Sequence, residues 1–439
     1  MVDTTGLSLD QAPPIHLPLR LLLTAPWFAV AAGVVLMWVG EPALVSRWTP
    51  TALALTHLIT VGFLGQAMCG ALLQMLPVIA GAPVPGVRHV ATGVHLALAA
   101  GAGLLAAGFL GAGGWALALG AAASVLGFGV FLVAAGVALA RAGGAPATLW
   151  SLRLAGVALI PTLVLGSTLV LALLGWVSLP AFATWVDLHL AWGLFGWVGL
   201  LIVGVGYQVV PMFHVTPAYP RALTRALAPV VFAVLVVASV VALAEPEAWA
   251  AAAKGLAQGG AALGLSAFAL VTLRLQRQRS RRRRDATLLH WWSAMGSLVA
   301  AAGAWGLGAP DSLIGVLLLV GVGIGLPSGM LFKIVPFLCW FHLQQRQIAT
   351  GRFDVRVPHM HGFLPERLTR WQWWLHLGAL VTLAAAVADP RLTLPAGGLL
   401  LVASLLLAGL LGNAALRYRH TRALLGQPAI AVAVPEGGQ

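Results

Sequence analysis

Two histidines, His57 and His189, lie within long apolar stretches of the sequence. Each is followed at once by a leucine and, four or five residues later, by a glycine. An imidazole in a hydrocarbon environment is costly unless it has a partner. Imidazole is also a common ligand of heme iron and of copper, and nearby glycines would let a flat macrocycle approach the helix. We therefore predict that both histidines bind heme, with His189 also a candidate metal ligand. The alternative is that each ring bonds only to a backbone carbonyl or a neighbouring side chain.

A second set of histidines lies nearer the opposite ends of the apolar stretches. His95 and His376 each follow an arginine by six or seven residues. These similar positions predict that the two residues serve a second heme or metal site. His290 is a further candidate metal ligand. The segment 359–361, His-Met-His, also has a ligand-like composition, although two histidines at this spacing are weak evidence by themselves.

The composition indicates the class of protein that must position these side chains. The 439 residues are 60% apolar and only 8% charged, and the mean hydropathy is +0.94. A soluble protein of this length needs more charge to cover its surface. Cys69 and Cys339 lie inside apolar runs and are predicted to be buried free thiols. The net charge of +13 does not indicate nucleic-acid binding, because the basic residues are scattered among loops between apolar stretches.

Twelve apolar stretches are long enough to cross a bilayer as helices. The predicted fold is therefore an all-α integral membrane domain over residues 1–439, with the lipid bilayer as its first partner. The approximate ranges are 18–40, 51–80, 90–111, 115–140, 151–175, 183–212, 223–244, 250–273, 287–307, 312–341, 371–388 and 395–416.

Loop charge orients this bundle. One alternate set of loops carries nearly all of the arginines, including the run 281–284. Positively charged loops stay in the cytoplasm, and an even number of spans places both termini on that side. The predicted location is a bacterial inner (cytoplasmic) membrane. The intervening loops carry Glu41, Glu245, Glu247, Asp311 and Asp389.

A threefold repeat is visible in the second, sixth and tenth spans. Gln74, Gln208 and Lys333 each precede a proline by three residues, and their spacings are 208 − 74 = 134 and 333 − 208 = 125 residues. Glycines precede all three. We therefore predict three units of four helices, over residues 1–145, 146–284 and 285–439. A polar side chain one turn from a span end should point inward or reach the headgroups.

The segments 56–81 and 189–213 resemble the second helix of proteins related to the heme-copper oxidase catalytic subunit and to NnrS, a membrane family linked to nitric oxide stress. The resemblance implies twelve helices in three four-helix arcs, with His57 as an axial ligand of a low-spin heme. The seventh span has no histidine, and the tenth has none before His342. A complete dinuclear oxidase centre is therefore not expected.

This resemblance implies a heme-binding protein, with copper as a further candidate, that acts in respiratory electron transfer or in handling nitric oxide or copper stress. Its partner would be a cytochrome or another redox protein, and any enzyme activity would be of the oxidoreductase kind. Two alternatives stay open. Twelve spans also suit a secondary transporter, and the long loop 342–370 would suit a non-catalytic partner subunit of a respiratory complex.

Overall fold

The computed structural model describes residues 11–81, 83–143, 146–244, 249–281 and 283–427. Within these ranges the chain is helical and contains no strand. Three of the loop charges used above to orient the bundle, Glu245, Glu247 and Arg282, lie outside the described residues. Cys69 and Cys339 are buried and unpaired, as the sequence predicted.

The described chain forms twelve long helices joined by short loops. They are α1 (His16–Val39), α2 (50–80), α3 (Val87–Ala112), α4 (Gly114–Arg141), α5 (Pro146–Leu173), α6 (Phe182–His214), α7 (Arg221–Ala244), α8 (Ala250–Arg277), α9 (Ala286–Gly306), α10 (Asp311–Thr350), α11 (Glu366–Ala386) and α12 (Thr393–Leu424). Short 3-10 turns lie at Glu41–Leu44, Met360–Gly362 and Pro390–Leu392.

Ten of these described helices are long and apolar enough to cross a membrane. The other two, α9 and α11, each have 21 residues but carry more polar side chains. Several of those polar residues are buried against neighbouring helices, including His290, Gln372 and His376. Part of the polarity of α9 and α11 therefore faces protein, while Arg367 and Arg370 at the start of α11 are exposed.

The tenth helix differs from the sequence prediction at its end. The predicted range 312–341 ends too early, because α10 continues through Pro336 to Thr350. A proline inside a helix removes one backbone hydrogen bond, but packing on both sides can maintain the helix. Pro77 and Pro211, by contrast, lie three residues before the ends of their helices.

Five of the described helices contain π-helical segments, two of them at Gly108–Ala112 in α3 and Gly255–Gly259 in α8. The other three lie at related positions. These segments are Leu58–Leu64 in α2, Ala191–Gly199 in α6 and Leu317–Ile324 in α10. Their starts are 191 − 58 = 133 and 317 − 191 = 126 residues apart, close to the spacing of the proline motifs. Since π-helical turns are rare and often mark functional sites, their recurrence is informative. The segments of α2 and α10 pack together, and a small apolar cavity adjoins all three.

Each of these three helices also packs closely against the first helix of its predicted unit. In each case, two glycines that are eight residues apart contact two residues of the neighbouring helix that are seven residues apart. A Cβ added to either glycine would lie 2.4–3.0 Å from the neighbouring helix. Small residues allow such close approach between helices. The contacts are Gly62 on Phe28, Gly70 on Leu21, Gly196 on Ala158, Gly204 on Ser151, Gly321 on Ser297 and Gly329 on His290. The unit boundaries themselves stay a prediction.

The ends of the bundle are joined by packing between the first and last helices. Helix α1 packs against α2 and also against α12, and α12 packs against α10 and α11. Helices α8 and α9 pack together where the second predicted unit meets the third. The arrangement therefore brings α2 and α6 side by side at one histidine pair, and α9, α10 and α11 together at another.

Candidate metal-binding histidine pairs

His57 and His189 lie together, one turn or less before the π-helical segments of α2 and α6. Their ring centroids are 6.4 Å apart, and their planes differ by 16°. Both side chains are partly exposed at the surface of the bundle. The two residues are called the parallel pair below. Their proximity is what the sequence analysis required for a shared ligand.

One nitrogen of each ring in the parallel pair makes a hydrogen bond that fixes the ring's orientation. Nδ1 of His57 lies 2.8 Å from the carbonyl oxygen of Leu53, and Nδ1 of His189 lies 2.9 Å from that of Thr162. A carbonyl only accepts, so each Nδ1 carries the proton and donates. This tautomer leaves the Nε2 lone pair available for a metal. Within the described chain, no hydrogen-bond partner contacts either Nε2.

The separation of the parallel pair matches that of two imidazoles on one metal. Metal–nitrogen bonds are about 2 Å long, and each ring centroid lies about 1 Å behind its nitrogen, so the two centroids are about 6 Å apart in a linear arrangement. The observed separation is 6.4 Å. Gly166 permits this position of His189, because an added Cβ there would lie 2.8 Å from the ring's Cε1.

The glycines near the parallel pair do not have the role that the sequence suggested. We expected them to leave room for a macrocycle. Instead, Gly62 packs on Phe28, Gly65 on Phe128 and Gly196 on Ala158. Their faces are filled by neighbouring helices, so these glycines leave no space for a macrocycle.

An ion-pair network lies close to the parallel pair. Arg47, in the loop between α1 and α2, contacts Asp187 at 2.6 Å and Asp311 at 3.0 Å. Lys254 lies 3.8 Å from Asp187. The network ties the start of α10 to α6 two residues before His189. It also places two cationic side chains, Arg47 and Lys254, beside the Asp187 carboxylate.

His290 and His376 form a second pair, fully buried between α9 and α11 and called the tilted pair below. Their ring centroids are 5.4 Å apart, with planes at 46°. Nε2 of His290 donates to Oε1 of Gln372 at 2.8 Å, which leaves Nδ1 as its free lone pair. His376 lies against Gly325, where an added Cβ would be 2.9 Å from Nε2.

The tilted pair has three ring nitrogens without a well-formed hydrogen bond, namely Nδ1 of His290 and both nitrogens of His376. The backbone carbonyl of Val320 acts as a weak hydrogen-bond acceptor towards the His376 ring. An unsatisfied buried polar group costs about 1–3 kcal/mol. Such groups are rare in native proteins unless a water or an ion satisfies them.

The structure groups the remaining predicted residues differently from the sequence. Nδ1 of His95 lies 3.2 Å from Oε1 of Gln66, and Nε2 of Gln66 donates to the His95 carbonyl at 2.9 Å. No ring contact joins His95 to His376 among the described residues. Likewise, His189 and His290 belong to different pairs. The similar sequence positions of His95 and His376 thus do not create a common site.

The three polar repeat positions also diverge. Gln74 is buried with its Oε1 unpartnered, and Gln208 is partly exposed. Lys333 is buried and donates to Asp285 at 2.7 Å. Asp285 also caps the start of α9 by accepting from the backbone N–H of Leu288. Burial acts to raise the pKa of Asp285, but the charge and hydrogen bond of Lys333 outweigh burial and lower it.

Sequence reasoning missed two of the contacting residues. Gln372 precedes His376 by four residues, so both lie on one face of α11, and this spacing was an available signal. Asp285 had no such signal, because only the packing of α9 on α10 brings it to Lys333.

In the described residues no group of three or more His, Cys, Asp or Glu is arranged to hold a metal. No known protein-family model and no curated protein matches this chain.

Proposed function

We propose that this chain is a membrane hemoprotein in which His57 and His189 are the two axial ligands of one heme iron. The observation that carries the proposal is the parallel pair itself. Two nearly parallel imidazoles have centroids 6.4 Å apart, and each has Nδ1 held by a backbone carbonyl and Nε2 free. Second-shell hydrogen bonds of this kind orient imidazole ligands for metals.

The number of ligands favours heme over an isolated ion such as zinc. A structural zinc takes four protein ligands, whereas the parallel pair offers two. A porphyrin occupies four positions on its iron, so two imidazoles complete the coordination. The partly exposed rings leave the pair accessible from the side that the glycines do not fill. A copper ion held by the same two nitrogens is the second candidate.

Electron transfer is the activity that this ligand set favours. If His57 and His189 both held a heme, the group would supply one-electron redox chemistry and not binding of oxygen or nitric oxide. The protein residues would then orient the heme and exclude a third ligand. A cytochrome or another redox protein would exchange electrons with it. Handling of nitric oxide would require one of the two histidines to dissociate.

The same proposal includes the finer topology. We infer that α9 and α11 also cross the bilayer, giving twelve spans in three four-helix units with both termini in the cytoplasm of a bacterial cell. The recurring π-helical segments and glycine contacts support the repeat. The arginine-rich loops support the orientation. A transporter is less well supported, because Asp187 is paired with Arg47 and not free to couple protons.

The test is an absorption spectrum of the detergent-purified protein, oxidised and reduced. We expect a Soret band and reduced-state bands typical of bis-histidine heme, both lost in His57→Ala and in His189→Ala. His89→Ala is the matched control, because His89 is exposed in the first turn of α3, and it should retain the spectrum. Stoichiometric copper without a Soret band would support the second candidate. Neither heme nor metal in the wild type would overturn both.

A further inference from the structure

We propose that the arginine-rich end of α9 binds the phosphate group of an anionic phospholipid. The centre of the site is Trp292, whose ring is approached by two guanidinium groups. The Cζ atom of Arg279 lies 5.5 Å from the ring centroid, and that of Arg284 lies 5.6 Å from it. These three residues are called the Trp292 cluster below.

The two arginines of the Trp292 cluster favour an anion between or beside them. A guanidinium over an indole ring is attracted to it, but two like charges brought to one ring repel each other. Phosphate matches the planar fork of a guanidinium through two parallel hydrogen bonds. A bound phosphate would therefore offset the repulsion and use donors that the ring cannot satisfy.

These donors are not used by the protein itself. In the described ranges, neither arginine of the Trp292 cluster contacts a carboxylate. Nη1 of Arg279 donates to the carbonyl of Gln276 at 2.8 Å, but its Nε is buried without a hydrogen-bond partner. The side chain of Arg284 is exposed. Both side chains thus keep N–H groups for an external acceptor.

The acidic residues at the starts of α9 and α11 are already paired with other cations. Asp285 pairs with Lys333 at 2.7 Å. Glu366 pairs with Arg370 at 3.0 Å and also with Arg283. Neither carboxylate is free to neutralise the Trp292 cluster, so a counter-charge from outside the chain fits it.

Exposed tryptophans on the neighbouring helix indicate that this counter-charge belongs to a lipid. Trp371 and Trp374 of α11 are 53% and 57% exposed on the surface of the bundle. Between them, Trp373 donates its indole N–H to Ser293 of α9 at 3.0 Å, which places them level with Trp292. Tryptophan is enriched at the headgroup level of a bilayer, because its ring is apolar and its N–H is polar. A phosphate in solution would not account for these exposed rings.

The position of the site gives the lipid a structural role. Nη2 of Arg370 donates to the backbone carbonyl of Arg284 at 2.9 Å, so the starts of α9 and α11 are tied together next to the Trp292 cluster. A phosphate held there would fix both helices at the headgroup level. These are the two long helices that carry more polar side chains than the other ten, so such an anchor would matter most for them.

The test measures lipid binding to the delipidated full-length protein in detergent by native mass spectrometry. Phosphatidylglycerol is the anionic probe, and phosphatidylcholine is the neutral one. We expect phosphatidylglycerol to bind roughly tenfold more tightly, as suits two arginines near an anionic headgroup. The double variant Arg279→Gln with Arg284→Gln should lose this preference. Arg221→Gln with Arg225→Gln is the matched control, because it removes two exposed arginines at the start of α7, and it should keep the preference.

Arg284→Gln alone provides a second variant, since the exposed side chain makes no hydrogen bond within the described residues and its loss should not affect folding. It should weaken phosphatidylglycerol binding by a smaller factor than the double variant does. Replacement of both arginines by lysine should restore part of the preference, because lysine keeps the charge but not the planar fork.

Three outcomes would overturn the inference. Equal binding of the two lipids by the wild type would show that charge is not recognised. An equal loss in the two double variants would show unspecific attraction to a basic surface. Displacement of phosphatidylglycerol by millimolar inorganic phosphate would show a site for a free anion. Neither double variant should change the Soret band, so this inference and the proposed heme site are tested separately.

Discussion

The parallel pair and the tilted pair use the same side chain in opposite ways. In the parallel pair, backbone carbonyls hold both Nδ1 atoms, and the rings are partly exposed. In the tilted pair, one glutamine holds one nitrogen, and the rings are fully buried. The first pair is oriented without a metal, whereas the second leaves buried nitrogens unsatisfied. This difference implies that the fold around the parallel pair is stable without a bound group. The fold around the tilted pair is stabilised less well without one.

The largest expected effect comes from removing the ion pair between Lys333 and Asp285. Asp285→Asn keeps a good N-cap for α9 but leaves the buried Lys333 ammonium without its counter-ion. Loss of one partner of a buried pair costs about 3 kcal/mol. Thermal unfolding in detergent should detect this loss. Glu41→Gln, which removes an exposed carboxylate, is the control and should unfold as the wild type does.

The same ion pair predicts a pH dependence. The pKa of Asp285 is lowered in the folded state, so its carboxylate stabilises the fold fully at pH values above the unfolded-state pKa of about 4. This stabilisation is lost as the pH falls through the folded-state pKa. The wild type should therefore lose stability on acidification below about pH 4 more steeply than Asp285→Asn. Parallel pH profiles of the two proteins would argue against the ion pair.

The second effect tests the orientation of the parallel pair. Gly166→Ala places a Cβ 2.8 Å from the His189 ring and must displace it. Displaced ligands typically weaken metal binding by about 10–100-fold, and heme content measured by the Soret band should fall accordingly. Gly156→Ala on the same helix is the matched control, since its Cβ meets nothing closer than 3.7 Å. Unchanged heme content in Gly166→Ala would count against His189 as a ligand.

The third effect addresses the tilted pair alone. Gln372→Leu removes the acceptor that orients His290 and leaves one more buried ring nitrogen unsatisfied, so the free energy of unfolding should fall by about 1–3 kcal/mol. Thermal unfolding in detergent measures this loss, and the Soret band should not change. A fall in heme content would show that the two pairs are not independent.

The smallest effect concerns the ion pairs beside the parallel pair. Arg47→Gln removes contacts to Asp187 and Asp311 but leaves Lys254, 3.8 Å from Asp187, as a counter-ion. Because Asp187 keeps this cation, the loss should be about 1 kcal/mol, so the melting temperature should fall slightly and the heme spectrum should persist. A complete loss of heme in Arg47→Gln would show that the network positions His189.

Much of the candidate site was predictable where the information is local. His57 and His189 stand at matching places before glycine-rich segments, and the structure places their rings side by side. The glycines themselves were misread, because a glycine that packs on a neighbouring helix has the same sequence appearance as one that faces a ligand. Gly62 on Phe28 is such a case.

The sequence by itself determined the class of protein, the positions of most helices and the free state of the two cysteines, because hydropathy, periodicity and composition are properties of local segments. Only the tertiary structure decided which polar residues meet. His376 lies beside His290, 86 residues earlier, instead of sharing a site with His95, and Lys333 meets Asp285. Periodicity shows which face of a helix is polar, but the neighbour of that face is chosen by packing between helices that are distant in the chain.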